Sequence, residues 1–146
     1  MRLLLQRVER AAVRVDGAVV GAVGAGLLAL VGVGPRDDDT VVAAMARRVV
    51  GLRIFEDADG KTNLDLAESG GAVLAVSQFT LYADTRRGRR PGFARAAPPD
   101  LAERLYERFV AELRALGVEV ATGRFGSEMA VELVNRGPFT IWLDSE

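Results

Sequence analysis

The chain has 146 residues, 49% of them hydrophobic and 27% charged, the size and balance of one globular domain with a single core. It contains neither cysteine nor histidine, and its net charge is −1. Disulfides, thiolate nucleophiles, cysteine–zinc sites and the Ser-His-Asp and Cys-His arrangements are therefore excluded, and any surface for a polyanion has to be local.

The first third reads as β structure. Met1–Val8 is an apolar run, and Val13 and Val15 alternate with Arg14. Asp16-Gly17 is a hairpin signal leading into Ala18–Val23, and Leu27–Val33 is an apolar strand stopped at Gly34-Pro35. The uncharged stretch from Ala18 to Gly34 falls short of the roughly 20 residues a membrane-spanning helix needs, and glycines interrupt it. It also lies behind Arg7, Arg10 and Arg14, too far in for a signal peptide, so the expected compartment is the cytoplasm, with no membrane partner. Asp37, Asp38 and Asp39 supply an N-cap and acidic first-turn residues for a helix from about Thr40 to Val50, which Gly51 ends.

Beyond it, Leu52–Phe55 is expected as a strand, Asp57-Ala58-Asp59-Gly60 as a turn, and Ala72–Thr80 as a second buried strand. Tyr82 to Pro99 reads as a long loop rich in arginine and proline. Asp100 to Leu116 is the clearest helix: Leu101, Leu105, Phe109, Leu113 and Leu116 make one apolar stripe, Asp100 and Arg104 form an i,i+4 pair, and Gly117 stops it. Val118–Ala121, Met129–Val134 and Phe139–Leu143 close the chain as strands, the last two joined by a turn at Asn135-Arg136-Gly137-Pro138. No repeat or linker divides the chain. Residues 1–146 are expected to form a single α/β domain, a mixed β-sheet or partial barrel with two main helices.

Several clusters bear on chemistry. Gly32-Val33-Gly34 is part of a dinucleotide-binding pattern, but Asp37 at the third glycine position would face a pyrophosphate, so a tight turn is the better reading. Asp57, Asp59 and Glu68 have the outer spacing of a calcium loop, yet Thr62 holds its glycine position and Lys61 a ligand position. No metal and no cofactor are expected. Arg86-Arg87-Gly88-Arg89-Arg90 gathers four guanidiniums in a loop, suited to phosphates or simply solvated. Ser77-Gln78-Phe79-Thr80, at the end of an apolar strand, reads equally well as a substrate-binding rim or as strand termination. Pro138 cannot donate to a sheet ladder, which places it at an edge or a turn.

Taken in order, Gln6-Arg7-Val8, Ile54-Phe55, Lys61-x-Asn63-Leu64, Ser77-Gln78-Phe79-Thr80-Leu81, Arg90-Pro91, Thr122-Gly123-Arg124-Phe125 and Asn135-x-Gly137-Pro138-x-Thr140 resemble the D-aminoacyl-tRNA deacylase family. The match runs from Met1 to beyond Trp142, and the Ser-Gln-Phe-Thr and Gly-Pro motifs are specific as a pair. Gly92 stands where serine is usual, and Phe139 where valine is common.

The resemblance implies a homodimer whose active sites lie between subunits, the Ser77–Thr80 segment of one meeting Gly137-Pro138 of the other. It implies a cis Gly137–Pro138 bond whose carbonyls face the α-amino group of a D-amino acid, with Arg7 holding that loop, and rejection of L-aminoacyl-tRNA there. It also implies ester hydrolysis of D-aminoacyl-tRNA, and of mischarged glycyl-tRNA, at the tRNA 3′ end, with the terminal adenosine near Phe79 and Phe125. Ser77, Gln78, Phe79 and Thr80 are the expected catalytic segment. Two mechanisms compete: a Thr80 nucleophile, or assistance from the ribose 2′-hydroxyl with backbone amides of Phe79 and Thr80 holding the oxyanion. A threonine nucleophile needs a base, and the chain has no histidine, so the second is preferred.

Overall fold

The computed structural model describes residues 1–86 and 88–146. Arg87, the second residue of the arginine cluster, lies outside the described residues.

Strand β1 (Arg2–Val15) is the axis of the fold. The apolar run and the later alternating segment, read separately from sequence, are one continuous strand. Asp16 and Gly17 both take positive φ, 50° and 79°, and turn it tightly into β2 (Ala18–Val23). Along the same edge, residues 2–8 of β1 pair antiparallel with β3 (Gly26–Gly32). Two parallel pairings follow, β3 with β6 (Ala72–Ser77) and β6 with β7 (Val120–Thr122). Gly21 brings β2 back against β7: a Cβ there would lie 2.3 Å from the Thr122 carbonyl oxygen. The mixed sheet is thereby nearly closed, as a partial barrel. A separate short hairpin, β4 (Phe55–Glu56) with β5 (Thr62–Leu64), replaces the strand expected over Leu52–Phe55. Asp57 fills that turn: its carboxylate accepts from the Asp59 and Lys61 N–H groups and the Asn63 amide, and the Lys61 bond chiefly holds its pKa below the ordinary value.

Helix α1 (Asp39–Val50) is capped by Asp38, whose side chain accepts from the Val41 N–H. Asp37 instead turns inward and accepts from the Gly34 N–H at 2.6 Å. A four-residue helix, α2 (Leu66–Ser69), closed by an Asp65/Glu68 capping box, is an element the sequence reading did not anticipate. Helix α3 (Pro99–Ala115) buries Leu105, Phe109 and Leu113 against β1, β3 and α1. Arg104 does not pair with Asp100 but reaches Asp39 on α1 at 2.9 Å, and the i,i+4 pair of α3 is Arg108–Glu112. No helix among the described residues is long and apolar enough to cross a membrane.

The last strand, β8 (Ala130–Asp144), departs most from expectation. It is one strand, not two joined by a hairpin turn, because residues on both sides of Gly137-Pro138 pair antiparallel with β1: Ala130–Asn135 with the far half, Thr140–Asp144 with the near half. Its other edge has no strand partner among the described residues, and Trp142 on it is 47% exposed.

Candidate active site

Parallel pairing carries β6 as far as Ser77, and Gln78 still donates its N–H to the Val31 carbonyl at 2.7 Å. The chain then coils into a 3-10 turn, Phe79–Tyr82, so the strand expected to reach Thr80 stops three residues earlier. The Arg2 guanidinium fixes this turn, donating to the Leu81 carbonyl at 3.1 Å and stacking 4.4 Å from the Tyr82 ring centre. Tyr82 is buried, and a Cβ on Gly34 would meet its hydroxyl at 2.6 Å. Room for that ring is what Gly34 supplies here.

Ser77, Gln78 and Phe79 form one wall of a cavity of about 580 Å³. Phe125, Met129 and Val131 form a second wall, and Phe93 and Ala96 come in from the loop after the turn. Phe79 is 53% exposed, and Phe93 meets it edge-on with ring centres 5.0 Å apart. An apolar hollow with a few polar groups and open aromatic rings is the usual make-up of a small-ligand site. Thr80 is exposed in the turn beside the cavity rather than in its wall. Its hydroxyl accepts a hydrogen bond from the Gln78 amide, a group that cannot serve as a base.

Gly137 and Pro138 lie elsewhere. Gln6 pairs with Thr140 and Val8 with Asn135, so residues 136–139 bulge out of β8 opposite the single residue Arg7. The Gly137–Pro138 peptide is cis. Arg7, only 4% exposed, reaches under the bulge and donates to the carbonyls of Arg136 (3.2 Å), Gly137 (3.4 Å) and Ile54 (2.6 Å). Its guanidinium also stacks 4.4 Å from the Phe139 ring centre, which gives the phenylalanine at this position a local packing role. Asn135 closes the neck by donating to the carbonyls of Arg7 and Phe139, and Glu56 bridges Arg7 and Arg136.

Within the chain the two motifs do not meet. Register puts Ser77 level with Leu3 and the bulge level with Arg7. Four residues along and three strand spacings across separate them by roughly 20 Å. None of the bulge residues lines the cavity.

Sequence reasoning missed Phe93, Met129 and Val131. A lone phenylalanine in a loop of arginine, proline and alanine was the available signal, since such a ring has to rest on something apolar. The arginine cluster is also smaller than it reads: Arg86 is held by the Asp84 carboxylate at 2.6 Å, and that bond keeps the carboxyl far below its ordinary pKa. Arg89 and Arg90 remain exposed.

A model of the D-Tyr-tRNA(Tyr) deacylase family matches residues 4–144. The chain belongs to that family. Curated relatives named D-aminoacyl-tRNA deacylase include one from Symbiobacterium thermophilum, 60% identical over all of this chain and 97% of the relative, and one from Dinoroseobacter shibae, 59% identical over 99% of each. By their names these relatives are hydrolases acting on an ester bond. A solved structure described as the c-Myc DNA Unwinding Element Binding Protein superposes with a TM-score of 0.94 at 36% identity, covering all of this chain and 99% of that one. A second, of a probable eukaryotic D-amino acid tRNA deacylase, superposes at 0.83 with 21% identity and 97% of each chain covered, a likeness of fold alone. The family match spans both motifs, the cavity wall at Ser77–Phe79 and the bulge at Gly137-Pro138.

Proposed function

We propose that this protein is a cytoplasmic D-aminoacyl-tRNA deacylase, active as a homodimer, that hydrolyses the ester joining a D-amino acid or glycine to the tRNA 3′ end. The observation that carries the reading is the cavity at the end of β6: Ser77, Gln78 and Phe79 bound an apolar hollow with open aromatic rings, in a chain that belongs to this family. The terminal adenosine stacks on Phe79 and Phe125, base–aromatic stacking being worth about 1–3 kcal/mol per base. The exposed Arg89 and Arg90 hold tRNA phosphates.

In this reading the 2′-hydroxyl of the terminal ribose assists attack on the ester, and the Phe79 and Thr80 N–H groups, first in their 3-10 turn and so without an intrahelical acceptor, receive the oxyanion. Thr80 shapes the site, because its hydroxyl is tied to an amide and not to a base. The Arg7-held bulge of a second protomer completes the site. Its backbone carbonyls meet the ammonium of the D-substrate, and an L side chain runs into it. Two features support this arrangement: the roughly 20 Å between the motifs in one chain, and the outer edge of β8, which has no strand partner among the described residues and is a ready surface for another copy. The deciding assay is turnover of matched D- and L-tyrosyl-tRNA by the pure protein. Release from the D-ester alone is expected; equal release from both, or from neither, overturns the reading.

A further inference from the structure

A second cavity, of about 510 Å³, adjoins the first through one shared lining residue, Phe125. The Phe125 ring packs at 6.1 Å against Tyr106, whose hydroxyl is fixed to the Ala75 carbonyl at 2.9 Å, so the partition between the cavities is braced from the core. Helix α3 lines the second cavity with Glu103 and Glu107, one turn apart and both exposed, and further along with Arg114, whose guanidinium donates to the Val120 carbonyl at 3.1 Å; the exposed Arg124 lines it from the segment after β7. Two carboxylates and two guanidiniums together suit a group that carries both hydrogen-bond donors and a negative charge better than a phosphate alone or an apolar group. The lining suits a flat ring with an amino edge that also carries a phosphodiester: the ring on the aromatic partition, the amino group toward carboxylates that only accept, the phosphate toward arginine.

We propose that this cavity binds the cytidine that precedes the terminal adenosine of the tRNA, so that the last two bases lie on opposite sides of Phe125. The inference rests on the deacylase reading above. Single-stranded RNA ends are commonly held with their bases splayed and stacked on aromatic rings, each base read at its hydrogen-bonding edge. Cytosine presents an N4 amino donor on that edge, where uracil presents the O4 acceptor, so Glu103 and Glu107 favour the first and repel the second. Every tRNA ends in cytidine-cytidine-adenosine, and the subsite therefore recognises acceptor ends as a class and leaves the tRNA body unread.

The test compares D-tyrosyl-tRNA with the same molecule carrying uridine before the terminal adenosine, for the wild-type protein and for the double variant Glu103→Gln with Glu107→Gln. The wild type should prefer the cytidine end by about tenfold in kcat/KM. Glutamine can donate to the uracil oxygen as well as accept from cytosine, so in the double variant the preference should fall to near unity. If the carboxylates act only through their charge on a polyanion, neutralising them tightens both substrates alike and leaves the ratio unchanged, which overturns the proposal. Equal turnover of the two ends by the wild type overturns the subsite and leaves the deacylase reading standing, whereas no turnover of either overturns both. In an independent binding measurement, the dinucleotide cytidylyl-adenosine should shift the amide resonances of Gly123 and Arg124, and adenosine monophosphate should not; identical shifts from the two overturn the subsite.

Discussion

The cavity at the end of β6 and the bulge on β8 are built in opposite ways. The cavity is an apolar hollow whose exposed rings, Phe79 and Phe93, lean on each other and leave space for a ligand. The bulge encloses no space: the exposed Arg136, Gly137 and Pro138 and the half-buried Phe139 are pulled onto one buried cation, and each of the three guanidinium nitrogens of Arg7 donates to a backbone carbonyl, two of them in the bulge and one at Ile54. One region is made to be filled and the other to keep its shape. A rigid backbone surface is of little use without something to press against, and an open hollow discriminates weakly without a fixed edge. The contrast suggests that each is half of a device.

The comparison breaks most easily at Arg7. Arg7→Ala leaves buried carbonyls without donors and removes the support of Phe139, so denaturant unfolding should show a loss of about 2–4 kcal/mol, together with loss of D-ester turnover. A stability change below about 0.5 kcal/mol, the size of an ordinary surface substitution, would show that the bulge holds itself. Phe79→Ala should behave in the reverse manner. Its ring is half exposed, so stability stays near wild type while substrate binding weakens by about 1–3 kcal/mol, the usual cost of losing one stacking ring, read as a raised KM.

Thr80 sharpens the contrast by its small effect. Thr80→Ala should keep the single-turnover rate within about tenfold, whereas loss of a true nucleophile costs on the order of 10⁶. A tRNA ending in 2′-deoxyadenosine should instead be slowed by about 10²–10⁴. An inert Thr80→Ala protein with a trapped threonyl ester in the wild type would reverse the assignment.

The smallest effect concerns the chain's two tyrosines, Tyr82 in the 3-10 turn and Tyr106 on α3, both buried. Burial pushes the Tyr106 phenol up to about 12, and burial with the nearby Asp37 charge raises Tyr82 further. Because the folded values lie above the ordinary one, their contribution to stability is complete below about pH 10 and is lost as pH rises through the folded values. Phenolate absorbance should therefore appear only with unfolding above pH 10. Either phenol ionising near pH 10 while the protein stays folded would contradict the packing described for it.

Much of this architecture was legible in the sequence where local chemistry decides it. Asp16-Gly17 reads as a tight hairpin because few other pairs accept two positive φ values, the aspartates at 37–39 read as the source of a cap, which Asp38 turns out to be, and the stripe on α3 follows from period alone. The β8 bulge was not legible. Gly137-Pro138 interrupts an apolar alternation in the same way whether the chain reverses or continues, and only pairing of both flanks with β1 decides between the two. Arg104 was assigned to Asp100 by spacing, but Asp39 on the neighbouring helix lies closer, a contact that exists only after α1 and α3 pack. Similarly, the cavity has walls from four separate segments, of which the sequence marked Ser77–Phe79 and Phe125 and left Phe93 in an unread loop.

The central claim is that one active site takes its hollow from one protomer and its fixed edge from another. A Cβ at Gly137 meets nothing within 4 Å in its own protomer, so Gly137→Val should fold yet obstruct the partner's cavity, while Ala96→Trp fills the cavity of the chain that carries it. Each variant alone should be inactive. After the two are mixed and allowed to exchange, half the dimers contain one of each chain and one of their two sites is whole, so D-tyrosyl-tRNA turnover should recover to about a quarter of wild type. Recovery to that level is what a shared site requires, and a mixture that exchanges subunits but stays inactive would contradict it.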